Sequence, residues 1–240
     1  MEEHHDDPKA PAAKSKPTKP PSAKKLLLNW LQAAMPDDQQ AKNLTSDWNN
    51  GRRLSALVDT VKPGTIPDFR SLNPDNALEN TQHAMDIAES EFDIPKIIDP
   101  EHMCVEKPDE LSVMTYLSYF CSGDDSPGYG SLLKWVRSKI PEYNIQNFTD
   151  DWRDGRAISA LVNAIAEESL PNHASLDPSN GVENVRAAMK TAEDNLDGIR
   201  KTITPEEFAD RRTDPLAMMG YIEWFRKAKP KQSLSVVGPG

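Results

Sequence analysis

The feature that most constrains this chain is that it contains itself twice. The segment Asn43-Leu-Thr-Ser-Asp-Trp-Asn-Asn-Gly-Arg-Arg-Leu-Ser-Ala-Leu-Val58 returns 104 residues later as Asn147-Phe-Thr-Asp-Asp-Trp-Arg-Asp-Gly-Arg-Ala-Ile-Ser-Ala-Leu-Val162. Ser71-Leu-Asn-Pro-Asp-Asn-Ala-Leu-Glu-Asn80 returns at the same offset as Ser175-Leu-Asp-Pro-Ser-Asn-Gly-Val-Glu-Asn184. Trp30 and Pro36 match Trp135 and Pro141 with one further residue of shift. Solenoid repeats run to about 20–50 residues, so a period this long means two copies of a domain.

The sequence divides accordingly. Residues 1–23 mix prolines with Lys and Ala and predict a disordered, semi-extended tail. Residues 24–121 form the first module and 131–228 the second. Between them residues 122–130, within the turn-rich run Cys121-Ser-Gly-Asp-Asp-Ser-Pro-Gly-Tyr-Gly130, predict a flexible linker. Residues 229–240 form a C-terminal tail.

Each module reads as helices. Ser22 caps a helix whose Leu27, Trp30, Leu31 and Ala34 share one face, and Ser131 is expected to cap its counterpart carrying Leu132, Trp135 and Val136. Leu54, Leu57, Val58 and Val61 are mirrored by Ile158, Leu161, Val162 and Ile165, one apolar stripe each. Asn73-Pro74 and Asp177-Pro178 start a long helix or a short turn leading into it, Asp99-Pro100 and Thr204-Pro205 open short turns of helix, and a last helix carries Val113, Leu117 and Phe120 or Met218, Ile222 and Phe225. No segment alternates at the period of a strand, so the fold class is all-α. Trp30, Trp48, Leu57, Trp135, Trp152 and Leu161 are the expected structural core.

Charge and composition narrow the function. The net charge of −10 is a poor match for nucleic acid or an anionic membrane surface, where Lys and Arg supply the attraction. Two cysteines make no disulfide framework, the acidic N-terminus is no signal peptide, and no apolar run spans a bilayer, so a reducing, intracellular setting is expected. No phosphate-binding glycine loop, zinc motif or calcium loop occurs, and His102 near Cys104 lacks an orienting partner. An enzyme, a metal site and a cofactor are therefore not expected. Asn43-Leu-Thr45 and Asn147-Phe-Thr149 match a glycosylation sequon, but repeated inside a module they read better as caps of the turn before each tryptophan. In Asp-Trp-x-x-Gly-Arg, at Asp47–Arg52 and Asp151–Arg156, the tryptophan fills the core and the glycine allows a tight join to the following helix.

These motifs in register resemble the calponin homology domain, and in particular the actin-binding head of the filamin family. The resemblance covers about Lys24 to Phe120 and Ser131 to Phe225, and both copies resemble the second-type module, through Ile66-Pro-Asp-Phe69 and Ser112-Val-Met-Thr-Tyr-Leu in the first. Val236-Val-Gly-Pro-Gly240 is similar to the start of an immunoglobulin-like filamin repeat. The resemblance implies two tandem helical domains that bind F-actin, in the cytoplasm and on the cytoskeleton, with any dimerisation outside this chain. It carries the filament contact onto the exposed side of each opening helix: Lys24, Lys25, Asn29 and Gln32 in one copy, Lys134, Arg137 and Lys139 in the other. The filament contact of a first-type module does not carry over. Other cytoskeletal or signalling proteins are the alternative partners, with the tandem modules acting as a scaffold. Residues 26–120 carry 7 basic and 16 acidic side chains and residues 129–230 carry 14 and 16, so the second copy suits an acidic filament better.

Overall fold

The computed structural model describes residues 19–232. Most of the expected N-terminal tail and the segment Val236–Gly240 lie outside the described residues. The first module contains α1 (Ala23–Ala34), α2 (Arg52–Val61), α3 (Ala77–Phe92), α4 (Pro100–Met103) and α5 (Glu110–Ser118). The second contains α6 (Pro127–Lys139), α7 (Arg156–Ile165), α8 (Gly181–Asn195), α9 (Pro205–Ala209) and α10 (Pro215–Ile222). Short 3₁₀ turns join them. The architecture is all-α; among the described residues the only extended pairing is Leu196–Asp197 against Lys229–Pro230, two residues a side.

Side chains set the helix starts. Ser22 Oγ accepts from Lys25 N, Asp109 from Ser112 N, and Thr204 forms a capping box with Glu207. The join before α2 and α7 is built twice in the same way. Asn43 Oδ1 accepts from Thr45 N and Asp47 N, Asp47 Oδ2 accepts from Lys42 N at 2.7 Å, and Trp48 Nε1 donates to Asn43 O at 2.9 Å. Asn147, Asp151 and Trp152 repeat this with Thr149, Gln146 and the Asn147 carbonyl. The sequon asparagines are therefore organisers of a turn. Both indoles are wholly buried.

The glycine that follows is held against the next long helix. Gly51 and Gly155 have φ of +77° and +80°, and a Cβ on them would lie 2.6 Å from Asn80 Cβ and 2.4 Å from Asn184 Cβ. Those asparagines clamp the join from the other side: Asn80 Nδ2 donates to the Asn50 and Asn73 carbonyls, and Asn184 Nδ2 to those of Asp154 and Asp177. A side chain at the glycine breaks both the backbone geometry and the clamp.

Three expectations are corrected. The second module's first helix starts at Pro127, with Ser126 as the extended residue before it, and Ser131 lies inside the helix. Proline at the first helical position favours that earlier start, and Tyr129 anchors it by packing edge-on to Phe148 at 4.9 Å. The expected flexible linker thus shrinks, its second half being helix. Trp30, Trp48, Leu57, Trp152 and Leu161 are buried, but Trp135 is only half-buried at the edge of the core, with the Arg226 guanidinium 6.0 Å from its ring. Last, the two modules are not separate bodies on a tether, because their buried residues form one continuous cluster.

Gly155→Ala is expected to lower stability by on the order of 2–3 kcal/mol, since it combines a strained φ with a backbone-level clash. Urea unfolding measures this; a change within about 0.5 kcal/mol contradicts the clamp.

Candidate functional site

The candidate surface is the outer side of the two opening helices, and the structure treats them differently. α1 lies along α10 of the other module. Ala23, Leu26 and Leu27 share a groove with Pro215, Leu216 and Met219, Asn29 and Trp30 meet Gly220, and the end of α1 meets Lys227, so the two helices run parallel. A Cβ at Gly220 would sit 3.6 Å from both Asn29 Cβ and Trp30 N, in ordinary van der Waals contact with α1. At Gly128 the seam is tighter: a Cβ there would come within 2.5 Å of the Trp30 ring and of Phe120 O.

Lys227 closes the far end of this contact. Its Nζ donates to Met35 O at 2.9 Å and Gln32 O at 3.3 Å and pairs with Asp37 at 3.2 Å. These carbonyls are among those a helix leaves without partners at its C-terminus, where its dipole is negative. A cation from one module therefore caps a helix of the other. Its ammonium also lies 4.7 Å from the Trp224 ring, with Arg200 at 4.7 Å from the same ring.

The consequence for the α1 residues is direct. Asn29 is half-buried against Gly220, and Gln32 is half-buried with its side chain donating to Ala41 O and its carbonyl accepting from Gln40 and Lys227. Lys24 and Lys25 stay exposed at the start of the helix, Lys24 paired with Glu110 at 2.9 Å. On α6 the picture is open. Lys134, Arg137 and Lys139 are exposed, and none makes an ion pair among the described residues. Arg137 is held in place by Nε donating to Ile145 O at 2.7 Å and by a contact to Gln146 Oε1. At 3.6 residues per turn, Lys134 and Arg137 share one side of α6, and Lys139 lies well round the helix from them.

The groove between α1, α5 and α10 has a volume of ≈ 710 Å³ and a mainly apolar lining that includes Leu26, Met114, Leu216 and Met219; no histidine lines it. Cys121 lines it too, but burial pushes that thiol up to about 12, so it is no nucleophile at neutral pH. Cys104 Sγ contacts Thr81 Oγ1 at 3.3 Å while His102 is exposed beside Asp99, so the two do not form a pair. Among the described residues no three His, Cys, Asp or Glu side chains gather as a metal site, and no helix is long and apolar enough to cross a membrane.

Sequence reasoning missed the seam, although the repeat carried a sign of it. On the outer face of the last helix, Thr115, Ser118, Tyr119 and Ser122 in the first copy stand opposite Gly220, Glu223, Trp224 and Lys227 in the second. That face is largely bare in the first module, with Leu111 65% and Tyr119 42% exposed, and covered by α1 in the second, where Trp224 is buried. The substitutions between copies mark where the modules meet.

The model of the calponin homology (CH) domain matches residues 21–123 and again 129–231. The chain is similar to Filamin-A of Drosophila melanogaster, 30% identical over 212 residues covering 81% of this chain and 10% of the relative. It is similarly 30% identical to Filamin-C of Rattus norvegicus over 215 residues, 81% of this chain and 8% of the relative. A single stretch of 102 residues is 40% identical to the erythrocytic spectrin beta chain of Mus musculus, 41% of this chain and 5% of that one. The chain thus spans 10% or less of the length of these relatives.

Lys227→Met removes the cap and is expected to destabilise the seam by on the order of 1–2 kcal/mol. Differential amide exchange is the measurement: protection should fall at the end of α1 and along α10 while α3 is unchanged. Unaltered exchange in both helices contradicts the role given to Lys227.

Proposed function

The chain belongs to the calponin homology domain family, carrying two of its domains in tandem, and from that premise we propose that it is the actin-filament-binding head of a filamin-like cross-linker. The observation that carries this is the exposed pair Lys134 and Arg137 on one side of α6, neither of them paired with an acid among the described residues. Similarity to filamins over both modules supports the choice of filament.

The mechanism is surface docking without chemistry. Lys134 and Arg137 face outward together, Arg137 pre-positioned by its own loop, so little side-chain freedom is lost when it meets a carboxylate. In α1, by contrast, Asn29 is packed against Gly220 of the other module and the Gln32 side chain is engaged with Ala41 O of its own, so only Lys24 and Lys25 remain for a partner. Exposed Lys24 is also half-neutralised by Glu110, and the surrounding module is more acidic. Electrostatic steering therefore favours the second module as the leading edge. Cross-linking needs a second head, hence dimerisation beyond these two modules, and the place of work is the cytoplasmic cytoskeleton.

Co-sedimentation with pure F-actin over a range of ionic strength tests this. Binding is expected to weaken as salt rises, because the contact is charged and exposed. Lys134→Glu combined with Arg137→Glu is expected to cost more binding than Lys24→Glu combined with Lys25→Glu. Equal losses contradict the asymmetry, and no pelleting even in dilute buffer favours the scaffold alternative.

A further inference from the structure

One buried ionisable group lies in the seam and plays no part in filament docking. Glu223 sits in the 3₁₀ turn Glu223–Arg226 that continues α10, and it is 2% exposed. Its Oε1 accepts from Arg226 at 3.1 Å, while Oε2 is buried without a well-formed hydrogen bond, the carboxyl meeting the Trp30 indole N–H outside normal bonding geometry. Trp30 Nε1, from α1 of the other module, is likewise buried without a bond of normal geometry. The same position in the first module is Ser118, whose hydroxyl bonds Thr115 O of its own helix. A glutamate is therefore not something the module fold requires there; it occurs in the copy whose face is covered.

We propose that Glu223 is a pH-sensitive latch between the two modules: a proton taken up on its carboxyl tightens the seating of α1 on α10, and ionisation loosens it. A carboxylate buried in the seam with one oxygen short of a well-formed hydrogen bond is expensive to keep charged, and the neutral acid is not. The groups that face it are Arg226 and Lys227 from its own turn, the Trp30 indole N–H from α1, and the Cys121 thiol beyond the end of α5. Arg226 is itself tied to Ser131 of α6, and Lys227 to Asp37 and the end of α1. Burial pushes the Glu223 carboxyl up, and Arg226, Trp30 and Lys227 oppose the shift without cancelling it.

The direction of the pH effect follows. A carboxyl with a higher pKa in the seated form than in water binds its proton more tightly when seated. Seating is then strongest at and below the ordinary carboxylate range and weakens as pH rises through the raised value. The latch goes beyond filament binding and does not depend on it.

Small-angle X-ray scattering of the full chain between pH 5.5 and 8.5, with no filament present, tests the latch. The radius of gyration is expected to grow with pH in the native chain and to stay at its compact value throughout in Glu223→Gln, which mimics the protonated acid. Glu223→Ser, which installs the residue type of the first module, should also flatten the curve and guards against one variant misfolding, checked by circular dichroism. The same pH course in the native chain and in both folded variants, whether rising or flat, overturns the proposal.

Discussion

The contact on which this molecule depends is the parallel seating of α1 on α10, finished by Lys227 at the C-terminal carbonyls of α1. A single weak surface ion pair could not hold two modules together. Even within the first module, the Lys24–Glu110 pair, with both side chains 45% exposed, is worth at most about 1 kcal/mol. The Lys227 cap is different in kind, because its ammonium is mostly covered and points at carbonyls the helix leaves unpaired. Around it Trp30, Leu26 and Met219 are buried and add apolar contact to the seam. Glycines at 128 and 220 set how near the backbones come.

From that contact the division of labour between the copies follows. The join that organises each module, Asn–Thr–Asp–Trp–Gly with its clamping asparagine, is the same twice over and serves stability in both. What differs is the outer surface. The first module gives its opening helix to the seam and retains an acidic exterior; the second receives a helix on α10 and leaves α6 exposed with its cations unpaired. Duplication thus produced two equivalent cores and two unequal faces. The unequal faces are where the proposed filament contact and the proposed latch lie.

Much of this was legible in the sequence because it is local. Helical spacing at Leu54, Leu57 and Val58, the Asn-Pro and Asp-Pro starts, and the buried tryptophans all depend on residues within a few turns of one another. The start of α6 is only partly a local matter: Ser131 and Ser126 both suit a helix start, Pro127 tilts the choice to Ser126, and the docking of Tyr129 on Phe148 fixes it. The partial covering of Asn29 and of the end of α1 was not legible from these residues. It depends on Gly220 and Lys227 almost two hundred positions away, whose partners no periodicity reveals. Comparing the copies with each other comes nearest, since Gly220 for Thr115 and Lys227 for Ser122 are changes that suit a covered face.

Hydroxyl-radical footprinting of the chain, free and on F-actin, tests the central claim most directly. In the free chain, Trp30 and the middle of α1 should already be protected, while α6 around Trp135 is reactive. On the filament, α6 should become protected. Protection that appears only at α1, or an α6 that stays as reactive on the filament as in solution, contradicts the account.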